Sequence, residues 1–182
     1  MTTKARSTIE DLYHIPEDGK AELVNGEIIC IPPTGELPGR AGGSVYVSLR
    51  AYEGKAPGRA SPDNVGFRVY LPNRESFSPD TARYIVPSAG MKFLEGAPLF
   101  AVEIRSDGDY GPTAERRIAE KRKDYFAAGT LVVWDVDLNS PEAVRSYGAA
   151  NPDSPKVFRQ NEMADAEPAV PGWRFAVNEL FK

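Results

Sequence analysis

The stretch LFAVEIR, residues 99–105, decides the fold class, because its first four residues are typical of a buried β-strand. A second apolar run, LVVW at 131–134, predicts a central strand that is buried on both faces. Between them, residues 112–128 have helical periodicity, with Pro112 in the first turn and Gly129 just past the end. The order of these segments indicates an α/β protein with a mixed central sheet flanked by helices.

Other segments complete this architecture. Asn25-Gly26 between two apolar runs predicts an N-terminal hairpin, in which Glu22 lies opposite Ile29. Residues 151–182 contain frequent Pro and Gly, which predicts a loose C-terminal β appendage with short edge strands. Its expected anchors are Trp173, Phe175 and Phe181. We also predict helices at about 6–13 and 38–54, and strands at 65–71, 80–86 and 142–147.

Size and composition limit the classes of protein and of site. The 182 residues suggest a single domain over 1–182, with a core at about 20–150. No apolar run approaches the ~20 residues that span a bilayer, so no membrane partner is expected. Cys30 is the only cysteine, which excludes an intrachain disulfide and fits a cytoplasmic protein. The net charge of −4 argues mildly against a large nucleic-acid surface.

The single histidine narrows the metal chemistry. His14 has no second histidine to act with, which excludes histidine-cluster metal sites and Ser-His-Asp chemistry on one chain. Any metal ligands are therefore carboxylates and backbone oxygens. Such ligands favour Mg²⁺ or Mn²⁺.

Three ionisable residues occupy matched places in the predicted elements. Asp80 opens one strand, Glu103 lies near the end of the next, and Lys121 lies on the apolar stripe of the helix that follows. A buried carboxylate is costly unless a cation meets it, so Glu103 needs a metal ion, Lys121 or Arg105 beside it. Two acids and a lysine around a divalent metal suit the hydrolysis of a phosphodiester. Glu22, on a hairpin face with apolar neighbours, is a fourth candidate.

Each of these residues also has a structural interpretation. Glu103 with Arg105 or Lys121 is compatible with a structural ion pair, and Lys121 with an ammonium that extends into water. Asp80 either binds a ligand or only starts a strand, and Glu22 is either partly buried or exposed to solvent. Their occurrence together, in this order, favours the functional interpretation.

A rival acidic pair, Asp135 and Asp137, follows the central strand. The ends of strands in α/β sheets are common ligand sites. They are also common places for solvated acids that lead into a turn. We interpret Asp135 and Asp137 as solvated acids of this kind.

The ordered set of motifs resembles one protein family. On these residues the chain resembles the Uma-two family of inferred endonucleases, in the PD-(D/E)xK restriction-endonuclease-like superfamily. The resemblance spans most of the chain and implies a restriction-endonuclease-like core. Its motifs are the hairpin at 22–28, SPD at 78–80, VEIRS at 102–106, Lys121 and Tyr125 before AGT at 128–130, VWDVD at 133–137 and AVPGW at 169–173.

The resemblance also implies roles for individual residues. By it, Asp80, Glu103 and the carbonyl of Ile104 hold Mg²⁺ or Mn²⁺. Lys121 becomes the active-site lysine, displaced from the strand to the helix, and Glu22 becomes an extra acid contributed before the core.

Arg105 departs from the family pattern, because it replaces the usual strand lysine two residues after the second acid. Arginine keeps its proton at neutral pH, so Arg105 is expected to hold a phosphate and not to act as a base.

Three hypotheses follow from the sequence. The first is a metal-dependent endonuclease that hydrolyses DNA, for which a symmetric homodimer would suit two-strand cleavage. The second is a catalytically inactive scaffold or nucleic-acid-binding module, which the acidic composition favours. The third is a metal-dependent hydrolase of a small phosphorylated ligand, which would need a closed pocket in place of an open groove.

Overall fold

The computed structural model describes residues 6–15 and 19–182. In this part of the chain, no helix combines the length and the apolar character needed to cross a membrane. The helices are α1 (Ile9–Leu12), α2 (Glu36–Ala51), α3 (Pro112–Ala127) and a 3-10 helix (Val177–Phe181). The strands are β1 (Lys20–Val24), β2 (Glu27–Ile31), β3 (Arg59–Ser61), β4 (Phe67–Arg68), β5 (Ser76–Phe77), β6 (Thr81–Tyr84), β7 (Leu94–Glu95), β8 (Phe100–Ile104), β9 (Val132–Val136), β10 (Val144–Gly148), β11 (Asn151–Phe158), β12 (Met163–Ala164) and β13 (Phe175–Ala176).

Local sequence signals account for the ends of the helices. The Thr8 side chain accepts a hydrogen bond from the Asp11 N–H, and the Asp11 carboxylate accepts one from the Thr8 N–H, so a capping box begins α1. Pro112 begins α3, as predicted. Gly129, with a φ of 106°, follows the end of α3, because a residue without Cβ adopts this conformation at little cost.

The predicted strand at 65–71 is wrong in extent. Only β4 is regular there, and it pairs with β5 and β7 in a small three-stranded sheet. The N–H of Leu71 already donates to the carbonyl of Arg74, because the chain turns back at this point.

A six-stranded mixed sheet, in the order β11-β10-β9-β8-β6-β3, forms the centre of the fold. β8 and β9 are parallel, and the other neighbours are antiparallel. α3 supplies the crossover that a parallel pair requires. All five residues of β9 are buried, as the apolar run at 131–134 predicts.

The two faces of this sheet have different coverings. Val102 of β8 packs in a core that includes Val45 of α2. Ala101 lies in a second core, with Tyr125 of α3. Because side chains alternate along a strand, Glu103 shares the face of Ala101 and points towards α3.

The C-terminal segment is more tightly integrated than its Pro and Gly content predicts. β11 is the edge strand of the main sheet, and β12 and β13 form a separate short pair. Trp173 and Phe175 are buried in the core that contains α2. The Trp173 ring lies 5.3 Å from that of Trp134, and its indole N–H donates to the Ser48 hydroxyl over 3.1 Å. The expected anchors are therefore present, but the packing is not loose.

Removal of Trp173 should destabilise the whole fold. We expect Trp173→Ala to lower the free energy of unfolding by about 3–5 kcal/mol, because it leaves a large cavity in the core. Urea denaturation measures this change. Met91→Ala is the control, since Met91 is 98% exposed and its loss should change stability by no more than about 0.5 kcal/mol. Equally small losses in both variants would show that the C-terminal segment does not support the core.

Candidate functional site

The N-terminal hairpin carries Glu22 into the interior. Asn25 and Gly26 have φ values of 54° and 73°, as a tight primed turn requires, and Glu22 pairs with Ile29 as predicted. The apolar neighbours on its hairpin face do not account for the burial of Glu22, because Ile29 is 47% exposed whereas Glu22 is buried. The carboxylate of Glu22 is covered instead by Arg74, whose guanidinium donates to it over 2.6 Å.

Asp80 lies just before β6, next to the strand β8 that carries Glu103. Thr81 pairs with Val102, and the Asp80 N–H also donates to the Val102 carbonyl over 3.1 Å, so the regular register ends at Thr81. The Ile104 N–H donates to Asp80 Oδ2 over 2.7 Å, which fixes this carboxylate against β8. The Asp80 charge raises the pKa of Glu103, so the two carboxylates lie close enough to interact.

Lys121 joins Glu103 to Glu22. Its Nζ lies 2.8 Å from Glu103 Oε2 and 2.9 Å from Glu22 Oε1, so the ammonium points at the acids and not into water. Tyr125, one turn further along α3, donates to Glu103 Oε1 over 2.6 Å. Burial lowers the pKa of Lys121, but the attraction of Glu103 and Glu22 outweighs it and the net shift is upward. The ammonium therefore acts as a donor or a positive charge, not as a base.

The two acids that share Lys121 have opposite pKa shifts. Burial raises the pKa of Glu103, and the negative charges of Asp80 and Glu22 keep it raised despite Lys121. Burial also opposes ionisation of Glu22, but Lys121 and Arg74 outweigh burial and lower its pKa. Of these two acids, Glu103 is therefore the one that neighbouring cations compensate less completely.

Lys20 and Asp63 belong to the same cluster, although the sequence analysis missed both. Lys20 Nζ lies 2.6 Å from Asp80 Oδ1 and 2.7 Å from Asp63 Oδ1. Lys20 stands two residues before Glu22 on β1, so the period of a strand places both side chains on one face and could have identified it. Asp63 follows β3 in a turn, and no pattern in the sequence links it to Asp80. Burial lowers the pKa of Lys20, but Asp80, Glu103 and Asp63 outweigh burial and raise it.

Comparison with known proteins identifies the family. A family model described as "Putative restriction endonuclease" (Uma2) matches residues 8–178. This chain belongs to the Uma-two family. The crystal structure of a "putative nuclease" from Anabaena variabilis ATCC 29413 aligns with a TM-score of 0.73 and 18% identity, over 96% of this chain and 97% of that one. A comparison with curated proteins finds no match. The predicted family and the mixed α/β fold are confirmed.

In this Uma-two protein Arg105 has partners of its own. Its guanidinium donates to both oxygens of Asp135, over 2.7 and 2.8 Å, and also contacts the Glu115 carboxylate. The hydrogen bonds to Asp135 raise the pKa of Arg105. These donors face carboxylates, so the arrangement is that of a structural ion pair and gives no support to the predicted phosphate contact. Asp137 is also buried and accepts from the Tyr110 hydroxyl, so the interpretation of Asp135 and Asp137 as solvated acids is wrong.

Asp80 and Glu103 offer the carboxylate oxygens that a divalent cation prefers. Mg²⁺ is usually held by one or two carboxylates and several waters, and the Asp80 charge is close enough to Glu103 to raise its pKa. The Ile104 peptide, which carries the third expected ligand, is held beside Asp80 by its N–H. Among the residues that the structure describes, no three Asp, Glu, His or Cys side chains are grouped as a complete metal site. The ammonium groups of Lys20 and Lys121 lie among the carboxylates instead.

Arg105→Met should destabilise this Uma-two protein by about 3–5 kcal/mol, because it leaves the buried carboxylate of Asp135 without its counter-ion. Chemical denaturation at neutral pH measures the loss. Arg117→Met is the control: Arg117 pairs with Asp109 at the surface, and such pairs contribute at most about 1 kcal/mol. An Arg105 variant that keeps full stability but loses nuclease activity would instead support the phosphate contact.

Proposed function

We propose that this protein is a divalent-metal-dependent endonuclease that hydrolyses phosphodiester bonds of DNA. The observation that carries the proposal is the placement of Asp80 against β8, where it accepts from the Ile104 N–H next to Glu103, with the Lys121 ammonium in direct contact with Glu103. The description of the family as restriction endonucleases supports the same reaction class and DNA as the substrate.

The charge balance of the cluster supports metal binding. Two neighbouring sets of ion pairs together contain five carboxylates and three cations, so they carry two more negative than positive charges when all groups are ionised. One divalent cation would neutralise this excess. The carboxylates are those of Glu22, Asp63, Asp80, Glu103 and Asp124, and the cations are Lys20, Arg74 and Lys121.

Each residue has a distinct role in the proposed reaction. Asp80, Glu103 and the Ile104 carbonyl would hold Mg²⁺ or Mn²⁺, which supplies an activated water and offsets the charge of the phosphate when bound. Lys121 donates to the phosphate or orients the attacking water, because its ammonium is held at Glu103. Glu22 acts through Lys121 as a positioning residue.

The shape of the site favours a polymer over a small ligand. The cavity at Asp80 has a volume of about 150 Å³; Asp63, Tyr46 and three glycines of α2 (Gly39, Gly42 and Gly43) help to line it, whereas Glu103 and Lys121 are not among its lining residues. Cavities that enclose small molecules usually measure about 300–1,000 Å³. A cavity of this size is too small to enclose such a molecule, which favours a phosphate presented on a strand of DNA.

Asp80→Asn and Glu103→Gln should each weaken Mn²⁺ binding strongly. We expect a loss greater than the roughly 10- to 100-fold that follows from changing a residue that only supports a ligand. Isothermal titration calorimetry measures the affinity. Asp165→Asn is the matched control, because Asp165 is a carboxylate paired with Lys156 and Arg174 outside the cluster. Unchanged affinity in both site variants would remove these acids as ligands.

Lys121→Ala should abolish Mn²⁺-dependent cleavage of plasmid DNA. The loss of a positive donor aimed at the transition state typically lowers the rate by about 100- to 1,000-fold. Because Lys121 also compensates two carboxylates, this variant should melt at a lower temperature, and cleavage must be measured below that temperature.

The control for this experiment is Lys123→Ala, on the exposed side of the same helix, which should cut DNA like the wild type. A Lys121 variant that cuts as fast as the wild type would remove the lysine from the mechanism. A wild type that cuts no nucleic acid with any divalent metal would favour the inactive scaffold, an interpretation consistent with the pairing of each cluster carboxylate to a protein cation.

A further inference from the structure

Lys20 stands where the proposed metal ligands converge. Its side chain is only 12% exposed, and its ammonium bridges Asp80 and Asp63 over 2.6 and 2.7 Å. The Glu103 charge is close enough to raise the pKa of Lys20. A buried lysine on this side of the sheet is therefore a second internal cation, independent of Lys121 and delivered by the N-terminal hairpin.

Both oxygens of the Asp80 carboxylate already have partners. Oδ2 accepts from the Ile104 N–H, which is fixed in the backbone of β8, and Oδ1 accepts from the Lys20 ammonium. A divalent cation held by Asp80 would lie close to that ammonium, and two positive charges at short range repel strongly. Of the two partners, only the lysine side chain can move away.

Asp63 is an alternative partner for the Lys20 ammonium. Its side chain is 47% exposed, and Lys20 Nζ is already 2.7 Å from its carboxylate. When Lys20 leaves Asp80, it can keep its contact with Asp63 at the edge of the site without entering an apolar environment.

We propose that Lys20 is the counter-ion of Asp80 in the metal-free protein, and that a divalent cation binds at Asp80 by displacing the Lys20 ammonium onto Asp63. Lys20 is thus a positioning residue, because it acts through Asp80. This inference rests on the proposed function, in which Asp80 is a metal ligand. It predicts that Lys20 keeps the metal-free site preformed and electrically compensated, and that the same lysine lowers the affinity for the metal.

The first test is the Mn²⁺ affinity of Lys20→Met, measured by calorimetry with the metal alone. Removing a competing cation from the coordinating carboxylate should tighten binding by about tenfold. Lys156→Met is the matched control, because it removes the same charge from a lysine–aspartate pair at Asp165 and should leave the affinity unchanged. Lys20→Gln, which keeps a donor for Asp80, should also bind more tightly and serves if Lys20→Met does not fold.

The second test is a double-mutant cycle with Asp63→Asn. In the wild-type background this change should weaken Mn²⁺ binding, because the displaced ammonium loses its alternative partner. In the Lys20→Met background it should have no effect. An equal loss in both backgrounds would make Asp63 a metal ligand and overturn the exchange.

The outcomes separate this inference from the proposed function. Weaker or unchanged binding by both Lys20 variants overturns the exchange while metal binding stands. Binding by Lys20→Met alone, with no measurable binding by the wild type, supports the exchange in its strongest form. No binding by the wild type or either Lys20 variant overturns metal dependence, and the exchange with it.

Discussion

The contact of one ammonium with two carboxylates is the interaction on which the candidate site depends. Lys121 of α3 binds Glu103 of β8 and Glu22 of β1, so it ties the long helix, the central sheet and the N-terminal hairpin to one point. Glu22 is buried and the Glu103 side chain is only 25% exposed, so an uncompensated charge on either would be costly. The three elements can therefore meet only in the arrangement that satisfies all three charges, and this arrangement also leaves Glu103 beside Asp80.

The central sheet separates the charged cluster from the main apolar core, because the two lie on opposite faces. The face covered by α2 and the C-terminal segment is a continuous apolar core, with Trp134 and Trp173 in contact. Burial of that apolar area supplies the main driving force for folding. The opposite face carries the neighbouring charged residues Glu103, Arg105 and Asp135. The stability of the apolar core does not depend on them, although each still requires its own counter-ion.

The contacts of Arg105 show how neighbouring elements decide which partner a charged side chain binds. It lies two residues after Glu103 and on the same face, where the family resemblance leads one to expect a lysine. Here β9 places Asp135 within reach, and the first turns of α3 add Glu115, so the planar guanidinium forms a fork with carboxylates on both sides. The ammonium groups near Glu103 come instead from α3 and from the hairpin, as Lys121 and Lys20.

The sequence by itself determined the N-terminal hairpin, the two central strands and the helix between them, because burial and turn formation are encoded locally in apolar periodicity and in Asn-Gly, Pro and Gly signals. It also predicted that Asp80, Glu103 and Lys121 belong together, from their places in consecutive predicted elements and from the resemblance to the family. Only the tertiary structure decided the partners of each charge. The pairing of Asp63 with Lys20 joins residues far apart in the chain, and no local pattern encodes it. A charged side chain takes the nearest opposite charge in space, and that neighbour is fixed by strand register and helix placement rather than by sequence spacing.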